Sequence, residues 1–290
     1  MVLVVGAHPQ NLSLSLLSRR RDKVEALREA GLEFFVYEAG SQTIPLLKAG
    51  VLHLAGTGAT PPILAEAQGL PSAVFGISGS RHENGGLLVR ADSDIHSLQD
   101  LRRRGIGLMP ISWHTQFLAA ELDAVGMSWR EVNAAEIIPA TARDGFIQGR
   151  LDAIVATDPL YSKIAARVPV RVLVSPGQAF SNRSVYWARR ETLRDHPERV
   201  RLLLDALIES DRLTLENPQE AASLLGGLNG NSPEEWLPAI TSRPWGVEAP
   251  HSEFAAEQQA HADIFAKFGL IPAQIDATPT VNPTFLAKAA

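Results

Sequence analysis

The chain has 290 residues, 45% of them apolar and 20% charged, with a formal net charge of −5 and no cysteine. That length and apolar content suffice for a full core and for more than one compact lobe. The lack of a basic excess argues against a nucleic-acid partner, and the lack of cysteine excludes disulfides, thiolate metal sites and a cysteine nucleophile.

Val2–Val5, directly after Met1, reads as a first strand and not as an export signal. A periplasmic or lipid-anchored extracellular location therefore requires that a signal precede this sequence; otherwise a cytoplasmic location is expected. No run of 18 apolar residues marks a membrane-spanning helix. A helix from about Ser13 to Ala30 closes on Gly31 as its C-cap. Phe34–Tyr37 is β-rich, and Ser41 is placed to cap a short helix ending at Gly50. Leu52–Leu54 reads as a strand and Thr57-Gly58 as a turn, with Pro61 in the first turn of the next helix. Strands follow at Ala73–Ile77 and Leu87–Val89.

The rhythm then restarts. Ser97 caps a helix stopping at Gly105, Ile106–Met109 is a strand, and Ser112 caps the next helix. Glu136–Ile138 is a strand, Thr141 starts a helix that stops at Gly149, Leu151–Val155 is a strand, and Asp158 opens another helix. Val170–Val174 and Val185–Ala188 are the last clear strands. Helices are expected beyond Glu191: Glu191–Leu215, Pro233–Ile240 and Ser252–Phe268.

Strands alternating with helices predict an α/β protein with mostly parallel sheets covered by helices. The helical tail has no strands of its own and must pack on an earlier lobe. The expected organisation is residues 1–90 as the first part of lobe 1, 91–190 as lobe 2, and 191–290 as a helical return onto lobe 1. Ligands in such sheets bind beyond the carboxyl ends of strands, here between the lobes.

Several strand-to-helix junctions are rich in small polar residues: His8–Asn11, Gly40–Gln42, Gly56–Gly58, Ser112–Thr115 and Thr157–Pro159. Polar side chains and unpaired N–H groups at helix starts suit an anion, since each helix N-terminus carries roughly half a positive charge. Capping explains any one junction, and Ser41, Thr57 and Asp158 are all good caps; several junctions converging on one cleft make a site. Trp113 does not cap a helix well and offers an aromatic wall. The histidines are scattered without zinc-ligand spacing, and no P-loop, GxSxG or GxGxxG motif follows a strand. Neither a cofactor, a metal nor a catalytic residue is expected. Arg19–Arg21, Arg102–Arg104 and the His196/Arg199 pair read as solvated faces.

The segment Tyr37–Gln42, continuing through Gly56-Thr57-Gly58-Ala59-Thr60-Pro61-Pro62-Ile63-Leu64-Ala65, resembles the aliphatic-sulfonate-binding proteins of ABC importers. These belong to the nitrate/sulfonate/bicarbonate/taurine solute-binding family. Ser97–Leu101, Pro139–Arg143 with Phe146–Gly149, Asp152-Ala153, Asp158-Pro159-Leu160-Tyr161 and Arg243-Pro244 continue the likeness, which runs from about residue 2 to 275. The resemblance implies a two-lobe periplasmic-binding-protein-like fold of type II that closes by a hinge on a small sulfonate or other organic anion. It implies a monomer that works with an ABC transporter permease, without a cofactor. By position it implies ligand contacts from Asn11, Ser41, Gln42, Gly56, Thr57, Ser112, Trp113, His114, Thr115 and Asp158, and from Asn182 and Ser184 in a later loop. Ser112-Trp113-His114 stands where sulfonate binders often carry Gly-Ser-Ser, Ala156-Thr157 where an aromatic is frequent, and His8-Pro9 in the first loop is unusual. These departures point to a ligand other than a simple alkanesulfonate, such as an aromatic or heterocyclic one.

The alternative is a cytosolic enzyme on the same scaffold, since the resemblance extends to an aryl-sulfinate desulfinase and to a pyrimidine-forming thiamine-pathway enzyme. Without cysteine, catalysis there would rest on His8, His114 or a bound metal. A ligand-sensing regulatory domain would need an attached DNA-binding segment, and none is visible.

Overall fold

The computed structural model describes residues 1–81, 84–177 and 180–281; the end of the expected helical return, 282–290, lies outside them. Two sheets form. The first opens with β1 (Leu3–Ala7), β2 (Leu32–Val36), β3 (Leu54–Gly58) and β4 (Ser72–Ser78). The chain then crosses to a second sheet of β5 (Gly85–Arg90), β6 (Gly105–Leu108), β7 (Asn133–Glu136), β8 (Ala153–Thr157) and β9 (Val170–Val174). It returns to the first as β10 (Ser184–Arg189) and β11 (Val247–Glu248). The strand orders are β11-β4-β10-β3-β1-β2 and β7-β6-β8-β5-β9.

β1 pairs in parallel with β2 and β3, and β6 in parallel with β7 and β8. The strand that has just crossed from the other sheet is inserted antiparallel in each case: β10 between β3 and β4, β5 between β8 and β9. Both sheets are therefore mixed. β5 belongs to the second sheet and β10 to the first, so sheet membership changes between β4 and β5 and between β9 and β10, not at residues 90 and 190. Strand–helix rhythm could not reveal this, because a crossing strand has the same composition as its neighbours.

Helices cover the sheets. α1 (Leu12–Leu17), α2 (Arg21–Glu29), α3 (Thr43–Lys48) and α4 (Thr60–Ala67) follow the first strands. α5 (Trp113–Ala124), α6 (Pro139–Ile147) and α7 (Leu160–Ala165) belong to the second lobe. The return comprises α8 (Arg190–Asp195), α9 (Pro197–Glu216), α10 (Pro218–Leu225), α11 (Pro233–Thr241) and α12 (Ser252–Phe268). Leu203, Leu204 and Leu207 of α9 join Leu14, Leu17 and the β1 residues Leu3 and Val5 in one core cluster, which anchors the return to lobe 1. α12 reaches further. Phe254 packs under β3 and β4, Phe265 meets Ala119 of α5, and Lys267 pairs with Asp123 of α5 at 2.6 Å. The last helix thus touches both lobes.

The single helix expected over 13–30 breaks into α1 and α2 at Arg20, whose backbone is extended (φ −83°, ψ 99°). Arg20 is not part of a solvated face. Its guanidinium is buried and donates to Ser210 Oγ at 3.1 Å, Thr214 Oγ1 at 3.2 Å and Glu220 Oε1 at 3.2 Å. Glu220 is half-exposed, so the ion pair contributes little; the hydrogen bonds from a buried charge to α9 carry the interaction. The turn after Ser97 is also shorter than expected, a 3₁₀ turn over Leu98–Leu101. An Arg20→Ala variant is expected to lose about 2–3 kcal/mol of stability, seen as a lower urea midpoint with an unchanged circular-dichroism spectrum in buffer.

Candidate functional site

The two sheets face one another with the carboxyl ends of their parallel strands, and between them lies a cleft with about 640 Å³ of space open to solvent. β1 delivers His8 and Gln10, the 3₁₀ turn after β2 delivers Gly40 and Ser41, and the end of β3 delivers Thr57 and Gly58. β10 contributes Ser184, and the crossover after β4 contributes Arg81. From the second lobe, the segment after β6 contributes Met109 through Trp113, and the segment after β7 contributes Ile138 and Pro139. The lobes touch at Gly58, where an added Cβ would lie 3.2 Å from Trp113 Cβ.

Of the residues picked from sequence, Ser41, Thr57, Ser112, Trp113 and Ser184 line this cleft. The other seven do not, and each is engaged elsewhere. Asn11 is buried and caps α1, its Oδ1 accepting from Leu14 N at 3.0 Å. Gln42 caps its own turn, accepting from Ala39 N at 3.1 Å. Gly56 sits inside β3, not in a turn after it, and a Cβ there would strike Asn11 Nδ2 and Leu14 Cδ1 at 2.6 Å. His114 Nδ1 accepts from Met109 N at 3.1 Å, and Thr115 Oγ1 donates to Glu136 Oε1 at 3.0 Å. Asp158 accepts from Ser162 N at 3.1 Å and from Asn84 Nδ2 at 3.0 Å, capping α7 and tying it to the start of β5. Asn182 Oδ1 accepts from Arg81 Nη2 at 3.1 Å.

His114, Thr115 and Ser112 share a task that residue type alone does not show. They hold the wall that turns from β6 into α5. Ser112 Oγ donates to Met109 O at 2.7 Å and caps α5 by accepting from His114 N at 3.2 Å. Ile111 has φ +46°, a left-handed conformation costly for a β-branched residue. Its N–H donates to Glu136 Oε1 at 3.3 Å, the carboxylate oxygen that also accepts from Thr115. Trp113 is braced by Phe180, which stacks on it at 6.0 Å and 9°, and by the edge of His114 at 4.5 Å.

The opposite wall is polar. Thr57 Oγ1 accepts from Trp187 Nε1 at 2.9 Å and donates to Gly58 O at 2.8 Å, so its proton is committed. The Ser41 and Ser184 hydroxyls make no hydrogen bond to any described residue. Arg81 is buried, its Nε donating to Asn182 O at 2.6 Å and its N–H to Ser181 O at 2.9 Å. Sequence reading missed Arg81 and Gln10. Arg81 lies in a Gly-Ser-Arg run between strands, where a lone arginine looks like a surface residue.

His8 is buried with oxygen acceptors at both ring nitrogens: Gln10 Oε1 lies 2.8 Å from Nδ1, and Gly56 O lies 2.8 Å from Nε2. Gln10 Oε1 is oriented by Gly40 N–H at 3.0 Å. Burial pulls the ring pKa down to about 4, against smaller upward pulls from Gln10 and Gly56. The ring is neutral at pH 7 and serves one acceptor fully. An anion beside it would favour the second proton. No group of three potential metal ligands exists among the described residues.

These features define a class: two-lobed α/β proteins with the periplasmic-binding-protein fold, which hold a ligand between lobes. The chain belongs to the NMT1/THI5 like family, whose model matches residues 27–221. It is 28% identical over 275 residues to an aliphatic sulfonates-binding protein of Escherichia coli (strain K12), covering 94% of this chain and 86% of that one. The crystal structure of the periplasmic aliphatic sulphonate binding protein SsuA from Escherichia coli superposes with a TM-score of 0.86 at 26% identity, covering 97% of this chain and 92% of that one. The alkanesulfonate-binding protein SsuA from Xanthomonas axonopodis pv. citri, bound to MOPS, shares the fold at 24% identity and TM-score 0.83, covering 97% of each chain. The desulfurization enzyme DszB shares the fold at 17% identity and TM-score 0.67, covering 99% of this chain and 98% of that one.

Two outcomes are expected. The folded-state pKa of His8 lies below the unfolded value of 6.5, so its contribution to stability is intact above pH 6.5 and is lost as pH falls through about 4. Between those limits the wild type should lose on the order of 3 kcal/mol more than a His8→Gln variant, measured by urea unfolding at pH 7, 5.5 and 4. Gly56→Ala should cost about 1–3 kcal/mol through overpacking, read as a lowered melting temperature without ligand.

Proposed function

We propose that this protein is the solute-binding component of an ABC-type importer and that it captures a small organic anion, a sulfonate or a close relative, by closing its lobes on it. One observation carries the reading: donors from three strand ends of lobe 1 and from the crossover, Gln10, Ser41, Ser184 and Arg81, face one cleft whose far wall belongs to the other lobe. A ligand touching both walls stabilises the closed arrangement, because only that state offers both sets of contacts. The likeness to sulfonate-binding proteins supports the reading, and the binding role is favoured over catalysis because the relatives at 26–28% identity are binding proteins, whereas the enzyme DszB shares the fold at 17%. The reading takes the protein to be a monomer that delivers its ligand to a membrane permease and works in the periplasm, the location given for the Escherichia coli sulphonate-binding protein.

A panel of organosulfonates and carboxylates tests this. A ligand present at 100 times its Kd adds about 2.7 kcal/mol of stability, so at least one compound should raise the melting temperature by several degrees and change the emission of Trp113. Arg81→Gln should lower affinity for that compound at least tenfold, with the circular-dichroism spectrum unchanged. A broad panel that moves neither melting temperature nor fluorescence overturns the proposal.

A further inference from the structure

A carboxyl group buried in lobe 1, outside the cleft lining, joins three segments that are far apart in sequence. Asp211, on the buried face of α9, is 1% exposed. Its Oδ2 accepts from Ser13 Oγ of α1 at 3.2 Å and from the Gly246 N–H, in the turn between α11 and β11, at 3.1 Å. Gly246 makes that bond with φ +129°, a conformation that favours glycine. The other oxygen, Oδ1, accepts no hydrogen bond from any described residue. The other titratable or charged groups that act on this carboxyl are Tyr186 of β10, Arg20 between α1 and α2, and Arg243 of the turn. Burial and Asp211 together push the Tyr186 hydroxyl up, so it stays protonated, and Arg81 acts on that hydroxyl as well. The Arg20 guanidinium donates to Ser210, Thr214 and Glu220. On α9 itself, Glu209 and Arg212 pair with each other on the solvent side.

Ionised, this carboxyl has two neutral donors, both on one oxygen, while the other oxygen gives up water without a described replacement. The neutral acid, with its proton on Oδ1, keeps both bonds to Oδ2 and buries no charge. Burial accordingly pushes the pKa up to about 7, against smaller downward pulls from Ser13, Gly246, Arg20 and Arg243. The folded chain therefore holds a proton that the unfolded chain gives up above 3.8. The stability this group contributes is fully present below 3.8 and is lost as pH rises through about 7. The charge that then forms must be hydrated, and the three segments differ in how readily they admit water. Leu14 and Leu17 of α1 and Leu203, Leu204 and Leu207 of α9 share one core cluster. The turn is only half-buried. It is tied down by the two-residue strand β11, paired with Ile77 and Ser78, and by Trp245 Nε1, which donates to Ile240 O at 2.8 Å.

We propose that Asp211 is a proton-operated latch in lobe 1: protonated, it clasps α1 and the turn at Gly246 to α9, and ionised, it releases the turn while the two helices stay packed. The turn supports the start of the first crossover. Pro244 lies against Gly79, where an added Cβ would be 3.6 Å from Pro244 Cγ, and β11 pairs with the end of β4 from which the crossover leaves. Release of the turn therefore loosens the backing of that crossover. The latch needs no ligand and stands apart from the solute-binding reading.

Hydrogen exchange of the full chain between pH 6 and pH 8, expressed as protection factors, tests the latch. Peptides spanning Gly246 are expected to lose about tenfold or more in protection over that range, while peptides spanning β6 keep theirs. Asp211→Asn retains an acceptor oxygen and cannot ionise, so it should hold the protection of the turn within about threefold. Ser13→Ala removes a donor that favours the ionised form and should move the midpoint of the loss to higher pH. A merely structural Ser13 would lower protection at every pH and leave the midpoint in place. A wild-type turn equally protected at both ends of the range, or an Asp211→Asn variant that keeps the wild-type loss, overturns the proposal. If Asp211→Asn fails to fold, the Ser13→Ala midpoint decides: a shift to higher pH supports the latch, and an unmoved midpoint overturns it.

Discussion

Arg81 laces the two crossover segments together, and the site depends on that lacing. Arg81, leaving β4, donates from its backbone to Ser181 and from its guanidinium to both the carbonyl and the side chain of Asn182, on the segment returning to β10. Ser80 Oγ adds a bond to Ser181 O at 3.0 Å. Asn182 takes φ +48°, which asparagine tolerates better than most residues and which turns its carbonyl and amide towards the arginine. Ser181 is in turn fixed to Glu257 of α12, with Oγ–O distances of 2.6 and 2.8 Å. The guanidinium that joins the crossovers also lines the cleft. A ligand that bonded Arg81 would therefore also bear on the two segments that join the lobes.

α12 extends this coupling. His261 on that helix lies 3.5 Å from Glu257 and meets the face of Phe180 edge-on, and Phe180 stacks on Trp113. Thr60 Oγ1 of α4 donates to Gln116 Oε1 of α5 at 2.7 Å, a direct bond between the lobes on the same side. The side of the molecule near α4, α5 and α12 is thus held by buried hydrogen bonds and aromatic packing. Elsewhere, α7 of lobe 2 meets α11 of lobe 1 through the Lys163–Glu235 pair at 3.3 Å, whose partners are 30% and 41% exposed. Solvent screening leaves such a pair little energy.

The left-handed Ile111 shows how the apolar wall is kept. A β-branched residue in that conformation costs of order 1–3 kcal/mol, and three surrounding interactions over-determine it: Glu136 on its own N–H, Ser112 on Met109 O, and His114 on Met109 N. The polar residues that look like ligand contacts in sequence are consumed in holding an apolar surface rigid. His114 is one of these residues: its Nδ1 accepts from the backbone of Met109 and it lies outside the cleft lining.

Much was legible from the sequence alone. The alternation of apolar strand runs with capped helices determined the α/β class and the two-lobe plan, and β9 and α12 stand where the pattern put them, because periodicity and caps are local signals. Of the site, Ser41, Thr57, Ser112, Trp113 and Ser184 could be picked, since small polar residues and an aromatic at strand ends are a local signal too. Tertiary structure decided the rest. Which strand crosses between sheets, that Arg20 is buried against α9 and Arg81 against the second crossover, and that Asn11 Oδ1, His114 Nδ1 and Asp158 Oδ1 each accept from a backbone N–H are all set by partners scores of residues away or by the direction a side chain takes. A polar residue at a helix start can serve its helix or a ligand with the same atoms, and only the packed structure fixes which way those atoms point.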